Sequence, residues 1–371
     1  MAKAFGIIAP PPGHIQIMGL QEHRPIGAFS FLGRFRMIDF QLSNYSNSDI
    51  DRIAVFVRTN PRSLTEHLNN GSHYNINSKR GKLQILFSDR HKENDIYNTN
   101  IEGYFDNIDI LERIHQSYVV IAPPHMVYTQ DYRELMEEHI SSGADITVLY
   151  HHVGDARENY AGCNVIEIDK NKRVLSIERN SGTAKERNIH METYVMKKET
   201  FLDLIYRARK ISAMYSFRMI VNEMCSELDV RAVAHRGYFA AVTDLKSYFD
   251  ANLDLLRIEQ AEDLFRDDWP IYTKTTDFCP SKYFEGASVS NSLVSNGCVI
   301  EGTVENSVIG RGCYIGKGAR VKNCVVSAYT EIGEYVNVEN QVIDKWVKIS
   351  HANRITAKRE QPGYIRRADR L

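Results

Sequence analysis

The stretch Gly6-Ile7-Ile8-Ala9-Pro10-Pro11-Pro12-Gly13-His14-Ile15-Gln16 decides how the first half of this chain is interpreted. Its first four residues predict a buried strand, and a helix follows after Gly33, so the frame is the strand–loop–helix that opens a parallel α/β sheet. A phosphate-binding loop at this place needs consecutive backbone N–H groups and residues that adopt positive φ. Three consecutive prolines have no N–H and a fixed φ. The sequence therefore predicts the frame of a phosphate-binding fold without its phosphate-binding loop.

Composition places the chain among ordinary globular proteins. Its 371 residues suffice for one large α/β domain and a smaller second one. A formal net charge of −1 gives no bulk attraction to nucleic acid or to a membrane surface. Met1-Ala2-Lys3 has neither a basic n-region nor a long apolar stretch after it, so we expect a cytoplasmic protein without a membrane span. The six cysteines lack CxxC or metal-ligand spacing, which favours buried thiols and no bound metal.

Apolar runs alternate with helical patterns over the first 250 residues or so, which predicts a doubly wound, mainly parallel sheet. The predicted strands are 5–8, 53–57, 83–87, 118–122, 146–150, 163–168, 173–177 and 193–196. The predicted helices are 37–47, 63–69, 105–117, 132–141 and 200–209. Because ligands of such sheets bind beyond the carboxyl ends of the strands, the loops after Ile8, Phe87, Ala122 and Ile177 are the candidate site loops.

The last part of the chain differs in composition and in the spacing of its apolar residues. A helical connector over 244–265 precedes a region rich in Gly, Asn and Val, in which aliphatic residues recur at intervals of six. These are Val294/Ile300, Ile309/Ile315/Val321, Val326/Ile332/Val338 and Ile343/Ile349. A six-residue aliphatic repeat with Gly and Asn at its corners is typical of a parallel β-helix, whereas an antiparallel sandwich would alternate with a period of two. We predict an α/β domain over 1–243, a connector over 244–283 and a β-helix over 284–371.

Several segments resemble the ADP-glucose pyrophosphorylases (glucose-1-phosphate adenylyltransferases) of glycogen and starch synthesis. Gly33-Arg34-Phe35-Arg36-Met37-Ile38-Asp39-Phe40-Gln41-Leu42-Ser43-Asn44 closely resembles the family's G-[KR]-[FY]-R-I-I-D-F-x-L-S-N segment. Residues 63–68 and 248–255 resemble the family's next helix and its connector. The resemblance spans essentially the whole chain. It implies a nucleotidyltransferase-like α/β domain followed by a left-handed β-helix of hexapeptide repeats.

The resemblance also implies a reaction, in which glucose 1-phosphate is joined to the α-phosphate of ATP with release of pyrophosphate. That chemistry depends on a glycine-rich loop, a lysine and carboxylate-bound Mg²⁺. The family's G-G-x-G-T-R-L loop is replaced by residues 11–16, and no cation near it replaces the family's arginine. The lysine of K-P-A becomes Arg24, and a guanidinium fork does not substitute freely for an ammonium.

Both acidic metal-binding motifs have also lost their acids. G-D-H-[IV]-Y reads Pro123-Pro124-His125-Met126-Val127-Tyr128, and D-F-G-x-D falls on Ser216-Phe217-Arg218-Met219-Ile220. An arginine beside a Mg²⁺ site repels the cation. We therefore predict no catalytic residue and no metal site in this chain, with Mg²⁺ required only by a catalytic partner.

Two sets of residues remain as binding candidates. The vestigial substrate pocket comprises Gly13, Arg24, Glu178, Tyr160 and Gly162, although Glu178, Tyr160 and Gly162 are better explained as inherited packing and turn residues. Family members use a basic pair near the seam between the domains for anionic effectors, and basic residues from the C-terminal end lie beside it. The corresponding residues here are Arg34, Arg36, Arg52, Arg366 and Arg367. They are equally compatible with a binding site for a sugar phosphate and with a solvated basic tail.

The resemblance as a whole points to a catalytically degenerate, GlgD-type regulatory subunit, which joins the catalytic subunit in a heterotetramer and activates it allosterically. A coupling of about 1–3 kcal/mol is sufficient for such regulation. Two alternatives stay open: an active sugar-1-phosphate nucleotidyltransferase with rearranged chemistry, and a homo-oligomer that senses a sugar phosphate.

Overall fold

The structure is a computed structural model and describes residues 3–11, 13–17, 19–76, 79, 81–88 and 99–371. Within these residues the helices are α1 (Met37–Asn47), α2 (Arg62–Leu68), α3 (Asn100–Phe105), α4 (Ile108–Glu112), α5 (Tyr132–Ser142), α6 (Ala156–Asn159), α7 (Lys198–Ile211), α8 (Phe217–Met224), α9 (Leu245–Asp254) and α10 (Ile258–Leu264). Short 3-10 turns are formed by Leu20–Glu22, Ile26–Ala28 and Ser72–Tyr74.

Nine strands of the described chain form one sheet in the first domain. They are β1 (Ala4–Ile8), β2 (Arg52–Val57), β3 (Lys82–Phe87), β4 (Tyr118–Ala122), β5 (Ile146–Val153), β6 (Asn164–Ile168), β7 (Val174–Arg179), β8 (Arg187–Lys197) and β9 (Val230–Ala234). Seven of them are hydrogen-bonded in the order β7–β6–β8–β4–β1–β2–β3. The other two branch from this path, because β5 also pairs with β8, and β9 pairs with β5. Pairs among β1 to β4 and the β5–β9 pair are parallel, whereas β8 runs antiparallel to its neighbours. The predicted α/β class is confirmed, with a mixed sheet.

The long predicted helix over 105–117 is wrong. The structure has two short helices there, α3 and α4, separated at Asn107. The Asn107 amide donates hydrogen bonds to the carbonyl oxygens of Phe87 (3.0 Å) and Gly103 (2.9 Å). A short polar side chain that bonds the backbone competes with helix continuation, and it ends the helix here. The strand Val230–Ala234 and the helix Phe217–Met224 were not predicted.

Three parallel sheets form the second domain, and each receives one strand from every coil. Their strands are Lys282–Tyr283, Val299–Ile300, Tyr314–Ile315, Glu331–Ile332 and Lys348–Ile349 in the first sheet; Ser288–Ser290, Thr303–Glu305, Arg320–Lys322, Asn337–Glu339 and Arg354–Thr356 in the second; and Leu293–Val294, Val308–Ile309, Val325–Val326, Gln341–Ile343 and Gly363–Ile365 in the third. All the aliphatic repeat positions except the half-buried Val294 are fully buried along the axis. The predicted left-handed β-helix of hexapeptide repeats is confirmed.

One corner of the coils is held by a ladder of asparagines. Asn291, Asn306 and Asn323 each donate from Nδ2 to the Oδ1 of the next ladder member at 2.7–3.1 Å, and Asn340 donates to the Ala357 carbonyl oxygen at 2.8 Å. All four asparagines have positive φ, between 40° and 55°. Asparagine tolerates the left-handed region better than most residues, which explains why it recurs at this corner.

The connector packs against both domains. Tyr248, Phe249 and Leu253 of α9 lie in an apolar cluster with Phe29, Phe31 and Phe40 of the first domain and with Val308, Val325 and Val342 of the β-helix. Gly33 enters this seam with φ 68°, and a Cβ there would lie 2.9 Å from the Ile309 carbonyl oxygen. The two domains are therefore joined by a continuous core. Within the described residues, no helix has the length and hydropathy needed to cross a membrane.

Candidate functional site

The carboxyl ends of β1, β2, β3 and β4 meet at one edge of the sheet, because these strands are parallel. Two neighbouring cavities open there. The proline-loop cavity, about 400 Å³, lies between the segment after β1 and helix α2. The sheet-edge cavity, about 420 Å³, lies between the same segment and helices α3 and α8. Pro10, Gly13 and Arg58 line both cavities.

The loop after β1 is anchored by its side chains. Ile15 and Ile17 are buried in the interdomain cluster, and the ring of His14 contacts the Gly162 carbonyl oxygen through Nε2 at 3.0 Å. Pro10 and Pro11 face the cavities without N–H groups to offer, whereas Pro12 lies outside the described residues. Burial lowers the pKa of His14, which favours a neutral ring at this hydrogen bond. The loop is thus a packed wall of the cavities and not a cradle of backbone donors.

The side chains at the expected metal positions do not fit Mg²⁺. Pro124, at one acid's position, lines the proline-loop cavity, and Ser216, at another, lines the sheet-edge cavity together with the neighbouring Arg218. Magnesium prefers carboxylate and water oxygens, which none of these residues supplies. Among the described residues, no group of three or more His, Cys, Asp or Glu side chains lies close enough together to hold a metal ion. His125, beside Pro124, is fully buried with a pKa lowered to about 3 by its burial, and it does not line either cavity.

Arg58 is a cation that the sequence analysis missed, and its position corrects the expectation that no cation lies near the loop. It follows directly after β2, at the edge where ligands of parallel sheets bind. Its Nε atom is buried, and no described residue lies within hydrogen-bond distance of it. The hydroxyl of Tyr104, in the same cavity wall, is also buried without a described partner. A signal was available in the sequence, since Arg58 directly follows the second predicted strand, 53–57.

Arg218 and Glu192 define the charge on the other side of the sheet-edge cavity. The Arg218 guanidinium donates to the Ile177 carbonyl oxygen at 2.7 Å. Burial raises the pKa of Glu192 to about 7, against the opposing effects of the Asn164 hydrogen bond (2.9 Å) and of Arg218. The carboxyl is therefore partly protonated at neutral pH, and the cavity has a net positive charge from its two arginines.

The predicted pocket residue Arg24 lies elsewhere. It is buried at the seam, where its guanidinium is ion-paired with Asp344 of the β-helix and its Nε donates to the Leu20 carbonyl oxygen at 3.2 Å. The 3-10 turns Leu20–Glu22 and Ile26–Ala28 flank it and direct this segment toward the β-helix. Arg24 is thus an interdomain residue, which corrects its assignment to the substrate pocket.

The other predicted pocket residues are only partly brought together. Gly13 lines both cavities, and Gly162 is adjacent through the His14 contact. Tyr160 stacks on Phe239 with ring centroids 6.0 Å apart. Glu178 is exposed on β7 and does not belong to the described lining of either cavity.

A second positively charged region lies at the seam between the domains. This seam cluster consists of Arg24, Arg34, Arg36, Arg311, Lys345 and Arg367. Burial, followed by the charges of Arg36 and Arg24, lowers the pKa of Lys345 to about 7. Burial also lowers the pKa of Arg36 and of Arg311. Arg311 donates to the Arg34 carbonyl oxygen at 3.1 Å, and the Arg367 guanidinium lies 4.4 Å from the Trp346 ring centroid.

Three of the five predicted effector residues belong to this seam cluster: Arg34, Arg36 and Arg367. Arg52 lies past the far end of α1, an 11-residue helix about 16 Å long that begins directly after Arg36. Arg366 is exposed, and its backbone N–H binds the Asp369 carboxylate at 3.1 Å in the terminal turn. Arg311 and Lys345 were missed, because their approach to the first domain depends on the fold and not on any local motif.

Comparison with known proteins covers both domains. A model of the nucleotidyl transferase family matches residues 16–258, and a model of GlmU-like C-terminal hexapeptide domains matches residues 276–363.

Similar proteins align along nearly the whole chain. The glycogen biosynthesis protein GlgD of Bacillus subtilis (strain 168) is 30% identical over 98% of this chain and 96% of its own length. GlgD of Geobacillus stearothermophilus is 31% identical over 86% of this chain and 83% of its own. The glucose-1-phosphate adenylyltransferase of Fervidobacterium nodosum is 30% identical over 92% and 83%. Because the match extends through both domains, the chain belongs to the nucleotidyl transferase family, in the group that contains glucose-1-phosphate adenylyltransferases and the glycogen biosynthesis protein GlgD.

Proposed function

We propose that this chain is a regulatory, catalytically inactive subunit of ADP-glucose pyrophosphorylase, which associates with a catalytic subunit and activates it in glycogen biosynthesis. The observation that carries the proposal is the replacement of the family's metal-binding acids in an otherwise complete fold: Pro124 stands at one acid's position, Ser216 and Ile220 stand at those of the second motif, and Arg218 lies between the latter two. Selection for a catalyst would not retain two domains and a continuous interdomain core around a site without carboxylates.

The number of catalytic groups that are replaced supports the proposal that the chain is inactive. Loss of one group that stabilises a transition state lowers a rate by about 10²- to 10³-fold. Here the loop donors, the lysine and both metal carboxylates are replaced together, and Arg24, at the lysine's position in the sequence, is held in an ion pair with Asp344. No neighbouring group of the described cavity supplies an equivalent carboxylate pair. Adenylyl transfer by this chain alone is therefore not expected.

The seam cluster supports a regulatory role. Only two carboxylates are shown in contact with its six cations among the described residues: Asp344 is ion-paired with Arg24, and Asp39 accepts hydrogen bonds from the Arg36 backbone (2.8 Å) and from Tyr74 (2.7 Å). Paired guanidinium groups bind phosphates in a bidentate manner. An anionic sugar phosphate bound there would contact both domains at once, and it would bias their relative position. We propose this cluster as the effector site.

The partners follow from the same proposal. A catalytic subunit of the same fold would join this chain in a heterotetramer, in the cytoplasm, and any Mg²⁺ would belong to that subunit. A coupling free energy of about 1–3 kcal/mol between effector, regulatory chain and catalytic site is sufficient for the regulation.

Association and inactivity are tested together. The purified chain is assayed for Mg²⁺-dependent ADP-glucose synthesis, and it is mixed with a catalytic homologue from the same source for mass determination in solution. We expect no turnover by the chain alone and a mixed tetramer with the homologue. Turnover at a rate typical of the family would establish the alternative of an active enzyme with rearranged chemistry. A homo-oligomer that does not associate with the homologue would favour the alternative of a sugar-phosphate sensor.

A further inference from the structure

We propose that the side-chain amine of Lys345, in the seam cluster, is acylated by acyl phosphates, whose phosphate group docks on the neighbouring guanidinium groups. The site goes beyond the proposed regulatory role, because it needs only this chain and no partner. Lys345 lies in the turn between the β-helix strands Gln341–Ile343 and Lys348–Ile349. Its neighbour Asp344 pairs with Arg24 of the first domain, so this turn faces the seam. The Lys345 side chain is half-buried there and is not closed off from solvent.

Among the described residues, no carboxylate pairs with the Lys345 ammonium. The adjacent acid, Asp344, has both carboxylate oxygens engaged. One contacts Arg24 in the ion pair and accepts from the Tyr364 hydroxyl (2.9 Å), and the other accepts from the backbone N–H of Lys345 (2.7 Å). Glu66 of α2 also acts on Lys345 electrostatically, but its carboxylate is exposed and already ion-paired. The amine therefore lacks an anion that would hold it in the protonated form.

Three guanidinium groups act on the same amine. Burial, followed by the charges of Arg36 and Arg24, lowers the pKa of Lys345 to about 7, and Arg367 acts in the same direction. At pH 7.5 most of the side chain is therefore the free amine, whereas only about 0.1% of an ordinary lysine is deprotonated. The free amine is the nucleophilic form, and desolvation beside another cation is a common way to produce it. The seam thus contains a nucleophile.

The same guanidinium groups specify the electrophile. Arginines bind phosphate oxygens through charge-assisted, bidentate hydrogen bonds. The Arg36 side chain is held by a hydrogen bond to the Ala28 carbonyl oxygen (3.2 Å), and the Arg367 guanidinium lies over the Trp346 ring, 4.4 Å from its centroid. Stacking occupies the face of the Arg367 group and leaves its N–H edge for a ligand. A reagent with a phosphate next to its reactive carbon is therefore favoured over one without.

The reaction is an acyl transfer. The Lys345 nitrogen attacks the acyl carbon and forms an amide bond, and the bond between that carbon and the bridging oxygen breaks. The bridging oxygen keeps the electron pair, and inorganic phosphate leaves. One amine proton passes to the phosphate or to water, so atoms and electrons balance without a further reactant. The guanidinium groups stabilise the charge that develops on the leaving phosphate.

Labelling with acetyl phosphate tests the site. The full chain is incubated with it at pH 7.5, and acetylated peptides are followed over time by mass spectrometry. The matched control within the chain is Lys348, which is exposed and whose ammonium lies 2.6 Å from Glu331. We expect Lys345 to be acetylated at least about 10-fold faster than Lys348, because its amine is free at this pH. Labelling of Lys345 at the rate of Lys348, or more slowly, would overturn the proposal.

A second reagent separates docking of the phosphate from reactivity of the amine. The acetyl ester of N-hydroxysuccinimide carries no phosphate. The ratio of the Lys345 rate to the Lys348 rate should be higher for acetyl phosphate than for this ester, and excess inorganic phosphate should lower the ratio for acetyl phosphate. Equal ratios for the two reagents would show that the phosphate group does not dock, and they would contradict the proposal.

Substitutions locate the docking groups. Arg367→Gln should slow acetylation of Lys345 by acetyl phosphate about 10- to 100-fold, the effect of losing one charge-assisted hydrogen bond. The matched control is Arg366→Gln, at the neighbouring exposed arginine, which should be labelled like the wild type. Equal rates in the two variants would place the phosphate elsewhere and contradict the proposal. A chain that is labelled at Lys345 but activates no homologue would refute the regulatory role and leave this assignment intact.

Discussion

Arg24 of the first domain is ion-paired with Asp344 of the β-helix, and both side chains are almost fully buried. The same Asp344 oxygen accepts a hydrogen bond from the Tyr364 hydroxyl at 2.9 Å. This contact links the segment after the proline loop to the β-helix coils, beside the seam cluster. A residue assigned from the sequence to the substrate pocket therefore connects the two domains.

Breaking this pair should destabilise the protein. Arg24→Met leaves the Asp344 carboxylate buried and unpaired, and we expect a loss of about 3–5 kcal/mol in the free energy of unfolding. The double variant Arg24→Met/Asp344→Leu removes both charges and should recover most of that loss. Denaturant unfolding of the two single variants and the double variant measures the coupling. Additive losses in the double variant would show that the pair does not act as a unit.

Gly33 should be intolerant of any side chain. It has φ 68°, and a Cβ there would lie 2.4 Å from Ser295 Oγ and 2.9 Å from the Ile309 carbonyl oxygen. Gly33→Ala should therefore lower stability by at least about 1 kcal/mol, because both the conformation and the contact are unfavourable. Gly154→Ala is the matched control, since no atom lies within 4 Å of its Cβ position. Equal melting temperatures for the two variants would contradict the close approach of the domains.

Lys345 makes stability depend on pH above neutrality. Its pKa in the folded chain is lowered to about 7, whereas an unfolded lysine titrates near 10.4. The unfolded chain binds the extra proton between these values, so the wild type gains stability as the pH rises from about 7 to about 10. Lys345→Met should therefore be more stable than the wild type at pH 6, and this advantage should shrink toward pH 10.

Chemical denaturation at pH 6, 8 and 10 measures that change. The control is Lys348→Met, at an exposed lysine whose ammonium lies 2.6 Å from Glu331, and it should give no comparable stabilisation at pH 6. An advantage of Lys345→Met that is the same at pH 6 and at pH 10 would show that Lys345 is not buried among the seam cations.

Buried histidines should make the protein sensitive to acid. Burial lowers the pKa of His125 and of His190 to about 3, and neither ring has a described hydrogen-bond partner. Below pH 6.5 the unfolded chain binds protons that the folded chain does not, so each ring lowers stability by about 1.4 kcal/mol per pH unit down to about pH 3. His125→Leu should reduce this slope measurably between pH 6 and 4, whereas His351→Gln, at an exposed position, should not. An unchanged slope in His125→Leu would indicate a solvated ring.

The fold was largely predictable because its signals are local and repeated. Apolar runs such as 118–122 and aliphatic residues at six-residue spacing, from Ile300 to Ile349, predict buried positions. The residues of both patterns lie in or against the observed cores. The helix over 105–117 failed because the Asn107 side chain bonds the backbone, a contact that the spacing of apolar residues does not reveal. The strand Val230–Ala234 was missed because Arg231 interrupts its apolar run.

The site was less predictable, because it depends on contacts between distant segments. Pro124, in place of a metal-binding acid, and Arg218, within the second acidic motif, are visible in the sequence once the motifs are aligned, and both lie at the cavities. Arg24, Arg311 and Lys345 meet only where the first domain contacts the β-helix, which no local pattern specifies. Arg58 lay within reach of the sequence analysis, since the end of a parallel strand is a place where ligands bind.

The most direct test of the regulatory role is an ADP-glucose synthesis assay in Mg²⁺ on three samples: this chain alone, a catalytic homologue from the same source alone, and their mixture. The regulatory account predicts an inert chain and a mixture that exceeds the homologue in rate or in affinity for substrate. A mixture with the kinetics of the homologue alone, or turnover by the isolated chain, would contradict it.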